Sequence, residues 1–206
     1  MRCSPSPWRR SNGSSRAAPT TAHGLWVLLG TAGLRLGEAS GLKWEDLDLA
    51  AGKLTVRRAL QRQRGKGLVL VEPKTPRSRR TIHLADCAVE ALRRHRARQA
   101  EARLAAGPAW QEEGLVFSTL IGGPLDPARV NEAFHRALDR AELPRHRVHD
   151  LRHSAASILL ALGTPVHDVA APWALQASVT LNVYAHATAS GQAEAMRWLN
   201  ALLATR

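Results

Sequence analysis

Residues 53–83 break the pattern of a chain that otherwise spaces its apolar residues for helices, and this break constrains the fold most. Leu54-Thr55-Val56, Leu68-Val69-Leu70-Val71 and Thr81-Ile82-His83 are short runs rich in β-branched residues, separated by polar turns. Three such runs read as one small antiparallel sheet. Around them the pattern is helical. A helix is expected over 22–32, and a second, short one from about Leu36 to Leu42, with Trp44 packing behind it. A long amphipathic helix is expected over 85–106, with Val89, Leu92 and Leu104 facing inward and an arginine-rich outer face. Gly107-Pro108 ends it. Leu115-Val116-Phe117 is a short apolar run of strand type. Asp126-Pro127 opens the next helix, with proline at an early position, and this helix carries Val130, Phe134 and Leu138. Leu151, Ala155, Ile158, Leu159 and Leu162 follow a 3.6-residue period, and Gly163 closes that helix. Further helical stretches are read at about 165–171, 177–186 and 191–204. The fold class is therefore mainly α with a small three-stranded antiparallel sheet.

The charge balance suggests a partner. Twenty-nine Lys and Arg stand against seventeen Asp and Glu, a formal net charge of +12. A polyanion is implied, with nucleic acid ahead of an anionic membrane surface. The excess is concentrated in the β-prone region: from Arg57 to Arg80 there are nine Lys or Arg and a single acid, Glu72. Arg57, Arg58, Arg62, Arg64, Lys66, Arg77, Arg79 and Arg80 could track a phosphate backbone along a basic sheet edge. The competing reading is an edge kept soluble by its charges.

Two isolated cysteines, Cys3 and Cys87, form neither a disulfide framework nor a metal-ligand spacing, which fits a reducing cytoplasm. Arg9, Arg10 and Arg16 ahead of the apolar run Gly24–Leu34 resemble a leader peptide, but that run holds three glycines and leads straight into Arg35 and Glu38. No stretch approaches the ~20 apolar residues of a membrane span. Residues 1–20 are rich in Ser, Pro, Arg and Gly and read as a disordered or atypical arm, with one domain expected over 21–206.

Several residues could carry chemistry. His149 and Arg152 stand three apart and His153 is one turn from His149, so one helix face near its start could present all three to an anion. Taken alone, that spacing equally describes a solvated face. Arg35 lies between two short helices in Gly33-Leu34-Arg35-Leu36-Gly37-Glu38, where Glu38 could hold its guanidinium. Lys74 falls in a turn between β-prone runs. Tyr184 is the single tyrosine of the chain. In order, these supply an oxygen nucleophile, two guanidiniums and proton donors, the parts needed to break and rejoin a phosphodiester without a metal. No acidic metal cluster and no cofactor motif is evident.

With these residues in order, the sequence resembles the catalytic domain of tyrosine recombinases, the phage integrase family. The matching segments are Gly-Leu-Arg-Leu-Gly-Glu, Leu-Lys-Trp-Glu-Asp-Leu-Asp-Leu, Pro-Lys-Thr-Pro-Arg-Ser-Arg-Arg-Thr-Ile, His-Asp-Leu-Arg-His and Thr-Leu-Asn-Val-Tyr-Ala-His, spread over about residues 22–187. The resemblance implies double-stranded DNA as substrate and a 3′-phosphotyrosine intermediate. It implies that Tyr184 is the nucleophile, that Arg35 and Arg152 hold the phosphate, and that Lys74 protonates the leaving 5′ oxygen. His149 would then be the general acid/base, with His153 in support. Recombination would require a DNA-bound homotetramer. The apolar stripe Met196, Trp198, Leu199, Leu202 and Leu203 would dock on a neighbouring copy or pack on its own domain.

The chain departs from the family pattern in two places. Where members usually carry Leu-Gly-His ahead of the tyrosine, this chain reads Pro172-Trp173-Ala174. Ala174 stands at the histidine position, and Trp173 could substitute only through its indole N–H. Members also usually have an N-terminal helical domain that helps to clamp DNA, whereas only about 20 low-complexity residues precede the matched region here. These departures open a second reading: a truncated, impaired remnant that binds DNA without cutting it. A basic helical domain for RNA or protein is a third reading, for which no RNA-binding pattern is found.

Overall fold

The computed structural model describes residues 22–72, 79–161, 163–165 and 167. The arm at 1–20, Lys74, Arg77, Trp173, Tyr184 and the stripe at 196–203 lie outside them, as do the helical stretches expected beyond 167.

Helix α1 (Ala22–Ala32) is central among the described residues. Leu25, Leu28, Leu29 and Ala32 are buried on it, and it packs against α2 (Leu36–Ser40), α3 (Asp86–Ala106) and α5 (Val148–Ala161). That surrounding explains the leader-like composition: a helix covered on several sides has little need of a polar face. At Gly24 α1 lies against α3: a Cβ there would make ordinary contact with that of His95, at 3.4 Å.

The β region is two sheets, not one. Strands β1 (Leu47–Asp48), β2 (Lys53–Val56) and β5 (Arg80–His83) form an antiparallel three-stranded sheet in the order β1-β2-β5. Strands β3 (Ala59–Gln63) and β4 (Gly67–Val71) form a separate antiparallel hairpin. The expected three-stranded sheet is present, but its membership differs: Leu68–Val71 pairs with Ala59–Gln63 and not with β2. Leu60 is the one buried apolar side chain in the Ala-Leu-Gln-Arg-Gln stretch, so β3 has almost no apolar alternation to betray it.

Helix α2 lies directly on the β3 backbone. Gly37 and Gly41 face it: a Cβ at either would come 2.8 Å from a main-chain atom of Leu60. The two glycines, one turn apart, set how close α2 and hence Arg35 sit to the hairpin.

Val89 and Leu92 point inward from α3 as expected, but Leu104 is 84 % exposed. A 21-residue helix is about 31 Å long. The buried residues Ala88, Val89, Ala91, Leu92 and His95 all fall in its first half, so the second half outruns the core. Leu115-Val116-Phe117 is buried but forms no strand, only a single bridge from Leu115 to Lys43. Its carbonyls are held by side chains instead. His95 Nε2 donates to the Val116 oxygen at 2.6 Å, and Gln99 donates to the Leu115 and Val116 oxygens at 3.0 and 3.1 Å. Helix α4 (Pro127–Arg140) starts as expected, with the Asp126 carboxylate accepting from the Ala128 N–H, and it buries Val130, Phe134 and Leu138.

Helices α4 and α5 end alike. Thr164 N–H bonds the Leu159 carbonyl around Gly163 at φ +85°, and Leu143 N–H bonds the Leu138 carbonyl around Glu142 at φ +54°. Both are Schellman ends, but the second places a glutamate in the left-handed region.

Candidate active site

Arg35 and Arg152 belong to elements far apart in sequence, and both come to the α1–α2 junction. Arg35 is the residue before α2. Its backbone N–H donates to Glu38 Oε2 at 2.8 Å, the carboxylate half of a capping box. Its Nη1 donates to Glu38 Oε1 at 3.1 Å. The Arg35–Glu38 pairing expected from the sequence is thus present, and half of the Arg35 side chain (49 %) remains exposed.

Arg152, on the first turns of α5, is 2 % exposed. Its Nη1 donates to the Gly33 carbonyl. Gly33 has φ +61°, which turns the chain out of α1. Burial lowers the Arg152 guanidinium to about 10, with Arg35 and Arg80 pushing the same way and Glu38 opposing them. It still carries its charge at neutral pH. The opposing and reinforcing charges place Arg35, Glu38, Arg80 and Arg152 in one electrostatic neighbourhood.

Arg80 does not stand on the basic sheet edge where the sequence reading puts it. Its side chain is 6 % exposed and Glu38's is 8 %. The two form a bidentate pair, Nη1 to Oε1 at 3.0 Å and Nη2 to Oε2 at 2.8 Å. The reason is strand alternation. In β5 the burial reads in-out-in-out, Ile82 faces the core opposite Leu54, and Arg80 shares its side opposite Val56. Side chains two apart on a strand share a face, so the inward Ile82 fixes Arg80 inward as well. Burial by itself would raise the Glu38 carboxyl; bonds from Arg80 and Arg35 outweigh that and hold it below its ordinary value. Among these charged residues, three guanidiniums face one carboxylate, a locus that favours an anion.

His149 and His153 share one face of α5, as their spacing implies. Their rings meet edge to face at 4.7 Å between centroids. Partial burial, then the neighbouring His153 and Arg152, lower the His149 pKa, and Asp150 only partly offsets this. His149 is therefore neutral at pH 7 and able to accept a proton. Asp150 accepts from the Arg147 N–H at 2.8 Å and fixes the start of α5.

The remaining basic residues divide. Arg57 and Arg58 are drawn to Asp46, at 3.7 and 3.3 Å, and Arg58 also to Glu45 at 2.8 Å. Arg62 pairs with Asp126 at 2.5 Å and Arg79 with Glu72 at 2.7 Å. Arg64 and Lys66 are exposed at the turn of the β3–β4 hairpin. Lys74, Arg77, Trp173 and Tyr184 lie outside the described residues, so their relation to Arg35 and Arg152 is not part of this geometry. Among the described residues no group of His, Cys, Asp and Glu could hold a metal ion, and no helix is long and apolar enough to cross a membrane.

Comparison with known proteins shows the family and the fold. The Phage integrase family pattern matches residues 12–190, and the chain belongs to that family. It is 32% identical over 190 residues to a XerC-like tyrosine recombinase of Caldanaerobacter subterraneus subsp. tengcongensis, covering 86% of this chain and 49% of the relative. An integrase of Streptomyces ambofaciens is 34% identical over 169 residues, covering 74% of this chain and 41% of its own. The chain thus spans about half the length of these curated relatives. Among solved structures, the Tn1549 transposon integrase in complex with transposon right end DNA superposes with a TM-score of 0.71 at 25% identity, over 85% of this chain and 58% of that one. The fold is that of the tyrosine recombinase catalytic domain.

Proposed function

We propose that this chain carries the catalytic domain of a site-specific recombinase that cleaves and rejoins double-stranded DNA through a 3′-phosphotyrosine. The observation that carries the reading is the bond from Arg152 to the Gly33 carbonyl, which brings it from the far end of the described chain to the α1–α2 junction, two residues before Arg35 and its partner Glu38. It is supported by the family match and by the DNA bound to the Tn1549 relative.

In this mechanism the Tyr184 oxygen attacks the scissile phosphorus and the bond to the 5′ oxygen breaks. Lys74 protonates that oxygen as it leaves, and His149 takes the phenolic proton. A 5′-hydroxyl then attacks the phosphotyrosine, expels the tyrosine oxygen and reseals the strand. The phosphoester bond is conserved throughout, so no nucleotide hydrolysis is required. A free phenol near pKa 10 is about one part in a thousand phenolate at pH 7, a deficit of roughly 4 kcal/mol. One preorganised donor to a developing oxyanion is worth ~2.7–4 kcal/mol, so Arg35 and Arg152 together can offset it. A homotetramer on DNA would carry the full exchange.

The test is a nicked suicide duplex, which traps the covalent adduct. The expected result is an adduct with the natural chain and none with Tyr184→Phe. Binding without an adduct, on a duplex that an intact relative cleaves, would overturn the reading. It would favour a remnant that only binds DNA, a reading motivated by Ala174 at the histidine position of the family pattern.

A further inference from the structure

The bidentate partner of Glu38 is Arg80, a residue that no part of the mechanism above uses. Its fork covers both carboxylate oxygens at 2.8 and 3.0 Å, and both side chains are almost wholly buried. Arg35 makes the looser side-chain contact, one bond of 3.1 Å, and keeps half of its side chain exposed. The carboxylate is thus shared unequally, with the buried arginine taking the larger part.

We propose that Arg80 is a positioning residue of the recombination site: by saturating Glu38 it leaves Arg35 oriented outward for the scissile phosphate. The proposal rests on the recombinase reading. The reasoning is electrostatic. Glu38 is buried and ionised, and a buried carboxylate recruits whatever cation is within reach. With Arg80 in place, the Arg35 side chain gives Glu38 one bond beside that of its backbone N–H. Without Arg80, the Glu38 charge would fall to Arg35, which already bonds it, and to the neighbouring Arg152. The carboxylate would draw the Arg35 guanidinium inward and cancel part of the charge it offers to the phosphate. Arg80 itself cannot meet DNA from its position, because strand alternation in β5 turns it toward the core beside Ile82. Its neighbours Arg79 and Thr81 take the outward positions.

The test is a double-mutant cycle on suicide-substrate cleavage, with DNA affinity measured in parallel. Arg80→Met is expected to slow adduct formation by about tenfold or more in the natural background, and by less than about twofold in a Glu38→Gln background, because a neutral amide exerts no net charge on Arg35. Arg80→Lys, which keeps a charge but cannot occupy both oxygens, should show an intermediate loss and serves if Arg80→Met does not fold. DNA affinity and its salt dependence should stay as in the natural chain. An equal slowing in both backgrounds, or a loss of rate that follows a loss of DNA affinity, would overturn the proposal. If the natural chain forms no adduct, the recombinase reading fails, and this inference falls with it. If the natural chain forms one and the Arg80 variants cleave at its rate, only this inference fails.

Discussion

Glu38 and Arg80, 42 residues apart, face each other across the junction of α2 and β5 in a two-pronged ion pair, with Arg35 on the solvent side of the same carboxylate. This pair supports Arg35 without lending it to the core. Substituting Arg35 by alanine should therefore leave Glu38 paired with Arg80 and the fold intact. Single-turnover cleavage should fall by about 10²–10³, the loss typical of one transition-state donor, with little change in DNA affinity. Equal losses in rate and affinity would place Arg35 in ground-state binding instead.

The hairpin turn provides a contrast. Arg64 and Lys66 are exposed there, while Arg80 is buried. Replacing either turn residue by alanine should weaken DNA binding uniformly across sequences. The slope of log K against log salt should shrink by about 0.9 for each phosphate no longer neutralised. Binding titrations between about 50 and 200 mM salt would measure this. An unchanged slope in both variants would remove the hairpin turn from the DNA path.

Gly37 and Gly41 predict a packing effect. Alanine at either puts a methyl 2.8 Å from the Leu60 main chain, a clash that a flexible side chain cannot relieve. Each substitution should destabilise the domain by roughly 1–3 kcal/mol, the usual cost of overpacking. Urea unfolding reads it directly, and tolerance of alanine at both positions would show that α2 can lift from the hairpin.

His95 predicts a pH dependence. Burial depresses its pKa, and Arg98 adds to that, while its bond to the Val116 carbonyl opposes. The unfolded chain therefore binds the proton more readily than the folded one. Stability is complete above the unfolded pKa, near 6.5, and falls as pH drops from there toward the lower folded value. His23 and His149 act in the same direction. His95→Gln keeps an N–H donor and should flatten part of that fall when unfolding free energy is compared at neutral and mildly acidic pH. Identical acid sensitivity in both chains would refute the assignment.

Glu142 is the one non-glycine residue with positive φ among those described. It holds the position in the end of α4 that Gly163 holds in the end of α5. Glu142→Gly removes the steric cost of the left-handed conformation at a site already built for it. A gain of about 1 kcal/mol is expected, visible as a raised urea midpoint. A loss would mean that the side chain compensates for its own strain.

Some of this is legible in the sequence, and the rest is hidden for identifiable reasons. Helices α1 to α5 follow apolar periodicity and punctuation such as Asp126-Pro127 and Gly107-Pro108, both of which act locally. Arg35, Glu38, His149, Arg152 and His153 stand out through ordered motifs: Arg35, Glu38 and Arg152 meet at one junction, and the two histidines pair on the helix that carries Arg152. Strand β3 is hidden because its only buried apolar residue is Leu60. The pairing of β4 is hidden with it, since a strand cannot be matched to a partner that has no pattern. Arg80 is obscured because a cluster of like charges reads as one surface, whereas a strand sends alternate members to opposite sides. Leu104 reads as inward because periodicity records which face a residue shares and not where the core ends.

The tether of Arg152 is a main-chain oxygen, that of Gly33. Every amino acid supplies such an oxygen, so no substitution at position 33 can delete the acceptor. Mutation can act there only on geometry, through the φ of +61° that a larger residue resists. This one bond to an arginine proposed to grip the phosphate is thus chemically immune to point mutation at position 33, and is open there to a change in the bend of the chain.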